Sequence, residues 1–168
     1  MKDAWLIVFD NVVGRVSVDY LQTNCIDIIA DYPNPKNPFP KRKLGNRLFS
    51  GIGKNIGEAS LDEVPFVVRM LSDICQDVSY KIRIDGALWL KEYLLDHHLE
   101  LKGTPRFDEI YLVEIQELLN DESSDVRIEA IEGILCVLHT LDKKVIEDEF
   151  IPNMIRAFNF EKNTEENI

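Results

Sequence analysis

Apolar residues recur in this chain three and four positions apart, the spacing of one face of an α-helix. Val18, Leu21, Cys25, Ile28 and Ile29 make one such stripe, with Ser17 placed to cap its start. Leu44, Leu48, Phe49, Ile52 and Ile56 make the next, ended by Gly57. A third runs from Val64 to Ile74 behind Ser60 and Glu63, a capping-box pair, with Pro65 in its first turn. Further stripes follow in 79–96, in a helix started by Asp108, in the helix after Asp121 and in 143–158. Residues 3–13 are apolar without a decisive period, and their surroundings favour a helix over a buried strand. No later segment sustains the alternation of a strand. The pattern predicts an all-α chain of about eight helices in antiparallel pairs. Four prolines between Tyr32 and Pro40 predict an extended loop. Residues 97–106, with Gly103, Thr104 and Pro105, read as a linker, and 161–168 as a frayed polar tail.

One stretch occurs twice. Asp77-Val-Ser-Tyr-Lys-Ile-Arg83-Ile84 and Asp121-Glu-Ser-Ser-Asp-Val-Arg127-Ile128 both read D-x-S-x-x-[I/V]-R-I and stand 44 residues apart. Each copy joins one apolar helical segment to the next. A second self-match supports the period: Pro65 leads to Arg69 and Pro152 to Arg156, 87 residues on. Recurrence at about 40 residues is the mark of a stacked helical repeat. The motif reads as architectural. Its Asp and Ser can accept from backbone N–H groups at a helix start, and its Arg reaches an Asp six residues back or one in the neighbouring repeat. Asp77, Arg83, Asp121 and Arg127 are therefore expected to form a structural ladder. The fold class that follows is a right-handed α-solenoid, one domain over 1–160 with a tail at 161–168.

Composition narrows the function. The chain is 45% apolar and 29% charged over 168 residues, ordinary for a folded domain. No apolar run approaches the roughly 18 residues of a membrane span, and Asp3 and Asp10 interrupt any signal-peptide core. Cys25, Cys75 and Cys136 are too few and too scattered for a disulfide framework, and each reads as a small core hydrophobe in a reducing, cytoplasmic setting. The net charge of -11 is uneven. Residues 1–60 hold 8 basic and 6 acidic side chains, and residues 61–168 hold 11 and 24. Such an acidic majority disfavours nucleic acid, whose phosphates need Lys and Arg.

These features carry a resemblance. Paired helices, an early proline in the first helix and D-x-S-x-x-V-R at the turn resemble HEAT repeats. Residues 74–94 and 118–130, with Asp3-Ala-Trp-Leu6, are similar to the phosphatase 2A-type scaffold family that includes regulatory subunit 4 of serine/threonine-protein phosphatase 4. The resemblance covers roughly residues 3–158 and implies about four HEAT repeats. It also implies a non-catalytic scaffold that binds a phosphatase catalytic subunit, with no cofactor. The loop 32–40 and the linker 97–106 depart from it as insertions. Another reading within the class is a HEAT-type transport or trafficking adaptor, and a remote one is an enzyme or nucleotide-binding module.

Candidate chemistry is sparse. Gly51-Ile-Gly-Lys54 lacks the full phosphate-loop pattern, since Asn55 follows the lysine, and reads as a helix end. His97 and His98 are adjacent, so they diverge on a helix, and His139 is far away; neither zinc nor a hydrolase triad is indicated. Trp89 is the sharper residue. A helical wheel places it near the polar set Lys81, Asp85, Glu92 and Asp96, while the repeat has Gly133 in its place. Trp89 with Lys81, Asp85 and Glu92 thus forms a candidate partner-binding group; the plainer reading is that Trp89 covers a neighbouring repeat. Lys36, Lys41, Arg42, Lys43 and Arg47 form a basic group that suits an acidic partner surface. Trp5, Ile7 and Phe9 at one end, and Ile151, Ile155 and Phe158 at the other, point to neighbours or to self-association.

Overall fold

The computed structural model describes residues 29–55, 65–101 and 111–165, together with 8, 11–12, 15–17, 20 and 23–24. Among them, all regular structure is helical. Of the expected helix over 3–13 only Val8, Asn11 and Val12 are described, and they are helical; the Ser60–Glu63 capping box, Gly57, Cys25, Asp108 and most of the helix after Ser17 lie outside the described residues. Ser17 itself accepts from the N–H of Tyr20 at 3.2 Å, the bond of an N-cap. The chain divides into two compact units, 1–86 and 87–168.

In the first unit the proline-rich segment is a run of tight turns, not an extended loop. Tyr32 donates to the Ile29 carbonyl, Asn34 to Asp31 and Asn37 to Asn34 at 3.0, 3.3 and 2.9 Å. The prolines fall at positions with no donor to spare, so the intervening asparagines close the turns. Helix α1 then spans Phe39–Asn55, starting two residues before Lys41. Pro40 fits its first turn because no N–H is needed there. Helix α2 is described over Pro65–Cys75. Met70, Leu71, Ile74 and Cys75 of α2, Phe49 of α1 and Ile82 are buried.

Helix α3 spans Tyr80–Leu101, and the division between the units falls inside it. It runs through His97 and His98, where a linker was expected. Residues 97–101 contain no Gly or Pro, so nothing there stops a helix; the first breaker is Gly103. In the second unit a π-type turn at 111–112 leads into α4, Val113–Leu119, followed by α5, Ser124–Val137. After a 3₁₀ turn, Leu138–Thr140, the chain passes through Lys143–Val145 and a π-helical segment, Ile146–Phe150, into α6, Ile151–Glu165. Tyr111, Ile115, Leu118, Leu119, Val126, Ile134, Val137 and Phe150 are buried in the core of this unit. Cys75 is buried as expected, whereas Cys136 is half-exposed and its thiol donates to the Glu132 carbonyl at 3.1 Å.

Two glycines mark where the chain packs closely against a helix. A Cβ on Gly45 of α1 would lie 2.7 Å from the Cβ of Tyr32 and 3.1 Å from backbone atoms. One on Gly86 of α3 would lie 3.0 Å from Ile74 and 3.1 Å from the Cys75 sulfur. Gly133 differs, since its nearest neighbour is the Lys91 stem at 3.6 Å, an ordinary contact. Helical glycine costs about 0.8–1 kcal/mol relative to alanine. Gly133→Ala is therefore expected to stabilise the protein by up to that amount, and Gly45→Ala to destabilise it, as shifts of the urea midpoint in opposite directions.

Candidate functional site

The two copies of the D-x-S motif build the same joint. The Asp77 carboxylate accepts from the Ser79 N–H at 2.8 Å, and the Asp121 carboxylate from the Ser123 N–H at 2.8 Å. Each is a turn closed by an Asp side chain, and it sets the start of the second helix. Seven residues into the motif, Arg83 donates to the Asp77 carbonyl at 2.7 Å, and Arg127 to the Asp121 carbonyl at 2.7 Å. Both arginines are buried. The arginine thus holds the joint through the backbone of its own Asp, which frees the carboxylate for other donors.

One such donor is Arg42. Its Nε and Nη2 bond the two Asp77 carboxylate oxygens at 2.6 and 3.0 Å, with 8% and 1% of the two side chains exposed. This buried fork-to-fork pair links α1 to the α2–α3 joint. Arg42 also donates to the Asn37 carbonyl at 2.6 Å, and Asn34 closes a turn on the Lys36 N–H at 3.0 Å. These bonds give a looser version of the joint of Arg83 and Arg127, in which Asn34 closes the turn and Asn37 supplies the carbonyl, two roles that one aspartate fills in the other copies. The sequence reading missed this third copy because Lys36-Asn-Pro lacks D-x-S. The signal lay downstream: Arg42, Arg83 and Arg127 are followed at the third position by Gly45, Gly86 and Ala130, and at the seventh by Phe49, Leu90 and Ile134. All six of these are buried.

A second set of rungs ties the helices that follow each joint. Lys43 of α1 pairs with Asp85 of α3, and Asn46 donates to the same carboxylate at 3.3 Å. Lys91 of α3 bonds Glu129 and Glu132 of α5, both at 2.8 Å. Asp85 and Glu129 stand at the same place, two residues after the motif arginine. The hydrogen bonds from Lys91 to Glu129 and Glu132 raise the lysine pKa well above its usual value, against the effect of its own desolvation. Lys91 was not singled out from sequence, since a lone lysine gives no signal without its partners.

The candidate partner-binding group is not brought together as one surface. Trp89 is only 6% exposed and stacks on Tyr93, ring centroids 5.0 Å apart and 6° from parallel; Tyr93 meets Tyr111 at 5.2 Å. Trp89 is therefore an internal residue rather than an exposed anchor. The helical wheel failed because it assumes one packed face, whereas Ile82, Ala87, Trp89, Leu90, Tyr93 and Leu94 of α3 are all buried. Asp85 is half-buried and engaged by Lys43 and Asn46. Lys81 and Glu92 are exposed. Of the basic group, Arg42 is buried on Asp77, Lys43 is held by Asp85, and Lys41 pairs with Asp31 at 2.7 Å while lying 5.1 Å from the Tyr32 ring centre. Gly51 and Lys54 lie inside α1, in helix rather than in a phosphate-binding loop.

Among the described residues, no group of His, Cys, Asp and Glu is arranged to hold a metal, and no helix is long and apolar enough to cross a membrane. Compared with protein-family models and with curated proteins, the chain matches none.

Burial sets the energetic order of these contacts. Asp77→Ala strands the Arg42 guanidinium in the interior and is expected to cost about 3–5 kcal/mol. Asp31→Ala removes an exposed partner of Lys41 and should cost far less. Urea titrations of the two variants read that contrast directly. For Lys91 the folded pKa lies above the unfolded one, so its stabilisation is complete below about pH 10.5 and is lost as pH rises through the raised value. The gap in stability between the native protein and Lys91→Met, about 1 kcal/mol at neutral pH given partial exposure, should close in strongly alkaline buffer.

Proposed function

We propose that this chain is a HEAT-type α-solenoid, a right-handed stack of about four antiparallel helix pairs, and that it works as a non-catalytic scaffold. The observation that carries the reading is the recurrent joint. Arg42, Arg83 and Arg127 each donate to a backbone carbonyl five or six residues back, at 2.6, 2.7 and 2.7 Å. A catalytic constellation occurs once in a fold, whereas a device that recurs at each joint serves stacking. Lysine-to-carboxylate rungs after two of the joints agree with second helices laid side by side.

The partner follows from the resemblance to phosphatase 2A-type scaffolds carried by residues 74–94 and 118–130. The favoured role is a regulatory subunit of a serine/threonine protein phosphatase, acting in the cytoplasm through protein contacts alone. Its mechanism is geometric: a curved row of helices holds the catalytic subunit and its substrates at a fixed spacing.

Affinity purification of the full chain from its source cells tests this. A serine/threonine phosphatase catalytic subunit should be identified among the retained proteins, and should be lost when Asp77→Ala disrupts the stack. Repeated purifications that retain no phosphatase subunit would overturn the assignment.

A further inference from the structure

The second unit leaves two apolar stripes uncovered. On α6, Ile151, Ile155 and Phe158 are 42%, 55% and 73% exposed and lie four and three residues apart, on one face. On α5, Ile128 and Leu135 are 49% and 51% exposed and seven residues apart, with Glu132 between them on the same face. The two helices contact each other.

The repeat shows what these positions face elsewhere. Phe158 stands six residues after Pro152, as Leu71 stands six after Pro65. Leu71 is 1% exposed and shares its face with Ile74 and Cys75, which meet α3 at Gly86. On a first helix, then, this position is the one covered by the second helix of its own pair. Leu135 stands eight residues after Arg127, as Lys91 stands eight after Arg83. Lys91 is the point at which α3 bonds the next second helix, α5. On a second helix, this position faces the second helix that comes after it. By this register Phe158 and Leu135 face one slot between α5 and α6, and among the described residues no helix covers them.

Charge selects the occupant. Asp125 stands three residues before Ile128 on its stripe, and Asp148 lies in the π-helical segment just before Ile151; both are exposed. Glu132 already takes a lysine from α3. Residues 61–168 carry 24 acidic side chains against 11 basic ones, so two copies of this end repel each other. We infer that the slot docks one amphipathic helix of a partner protein, apolar along one face with Lys or Arg beside it, in the helix-in-groove mode. The inference rests on the scaffold reading and adds to it the docking face and the chemistry of what docks.

The test titrates the full chain with a designed helical peptide that has leucines on one face and lysines beside them, followed by fluorescence anisotropy. Saturable binding is expected, and a twin peptide with glutamates for lysines should bind about tenfold more weakly or not at all. Phe158→Asp and Leu135→Asp alter exposed positions and should leave the circular dichroism unchanged, yet each should weaken the lysine peptide about tenfold or more. Both add negative charge, so unchanged or tighter binding would mean bulk attraction and would sink the slot. Concentration-dependent dimerisation in sedimentation, abolished by Phe158→Asp, would make a second copy the occupant and overturn the partner helix. If the peptide fails while a phosphatase subunit still co-purifies, the docking face is wrong and the scaffold reading stands. If the peptide binds while no phosphatase is retained, the reverse holds.

Discussion

The Arg42–Asp77 pair is the interaction on which the first unit depends. A carboxylate that is 1% exposed is tolerable only if its charge is met, and both of its oxygens are met by one guanidinium. The same Asp77 caps the turn into α3 through the Ser79 N–H and, through its carbonyl, anchors Arg83. One residue thereby fixes the turn, the start of the second helix and the preceding α1. Loss of this residue removes three constraints together, whereas the exposed Lys41–Asp31 pair constrains only a loop.

Small residues make those bonds reachable. Gly45 lets the Tyr32 turn, and Gly86 lets α2, pack tightly against the helix, and Ala130 takes the same place after Arg127. An arginine followed three residues later by a small side chain is one device: the small residue brings the backbone close, and the arginine closes the joint. The lysine rungs, Lys43 to Asp85 and Lys91 to Glu129 and Glu132, lie nearer to solvent and act on alignment more than on stability.

Where the repeats match, the residues serve packing; where they differ, they adapt the packing to its neighbours. Trp89 against Gly133 looked like a functional difference. Trp89 instead joins Tyr93 and Tyr111 in an internal aromatic cluster, and Gly133 lies beside the Lys91 stem with space for a Cβ. The difference that reaches the surface is Leu135 in place of Lys91, together with Phe158 in place of Leu71.

Sequence alone determined the helical class and the joints at Asp77 and Asp121, because period and capping chemistry act over a few neighbouring residues. It also placed Arg83 and Arg127 within reach of their aspartates six residues back. Tertiary structure decided the rest. Arg42 finds Asp77 across 35 residues and Lys91 finds Glu129 across 38, separations at which no local pattern links donor to acceptor. Burial of Trp89 was likewise a tertiary outcome, since a helix packed on more than one side has no single polar face for a wheel to reveal. The proline-rich segment turned back on itself because Asn34 and Asn37 supplied the donors that prolines lack, a choice fixed by the docking of Tyr32 on Gly45.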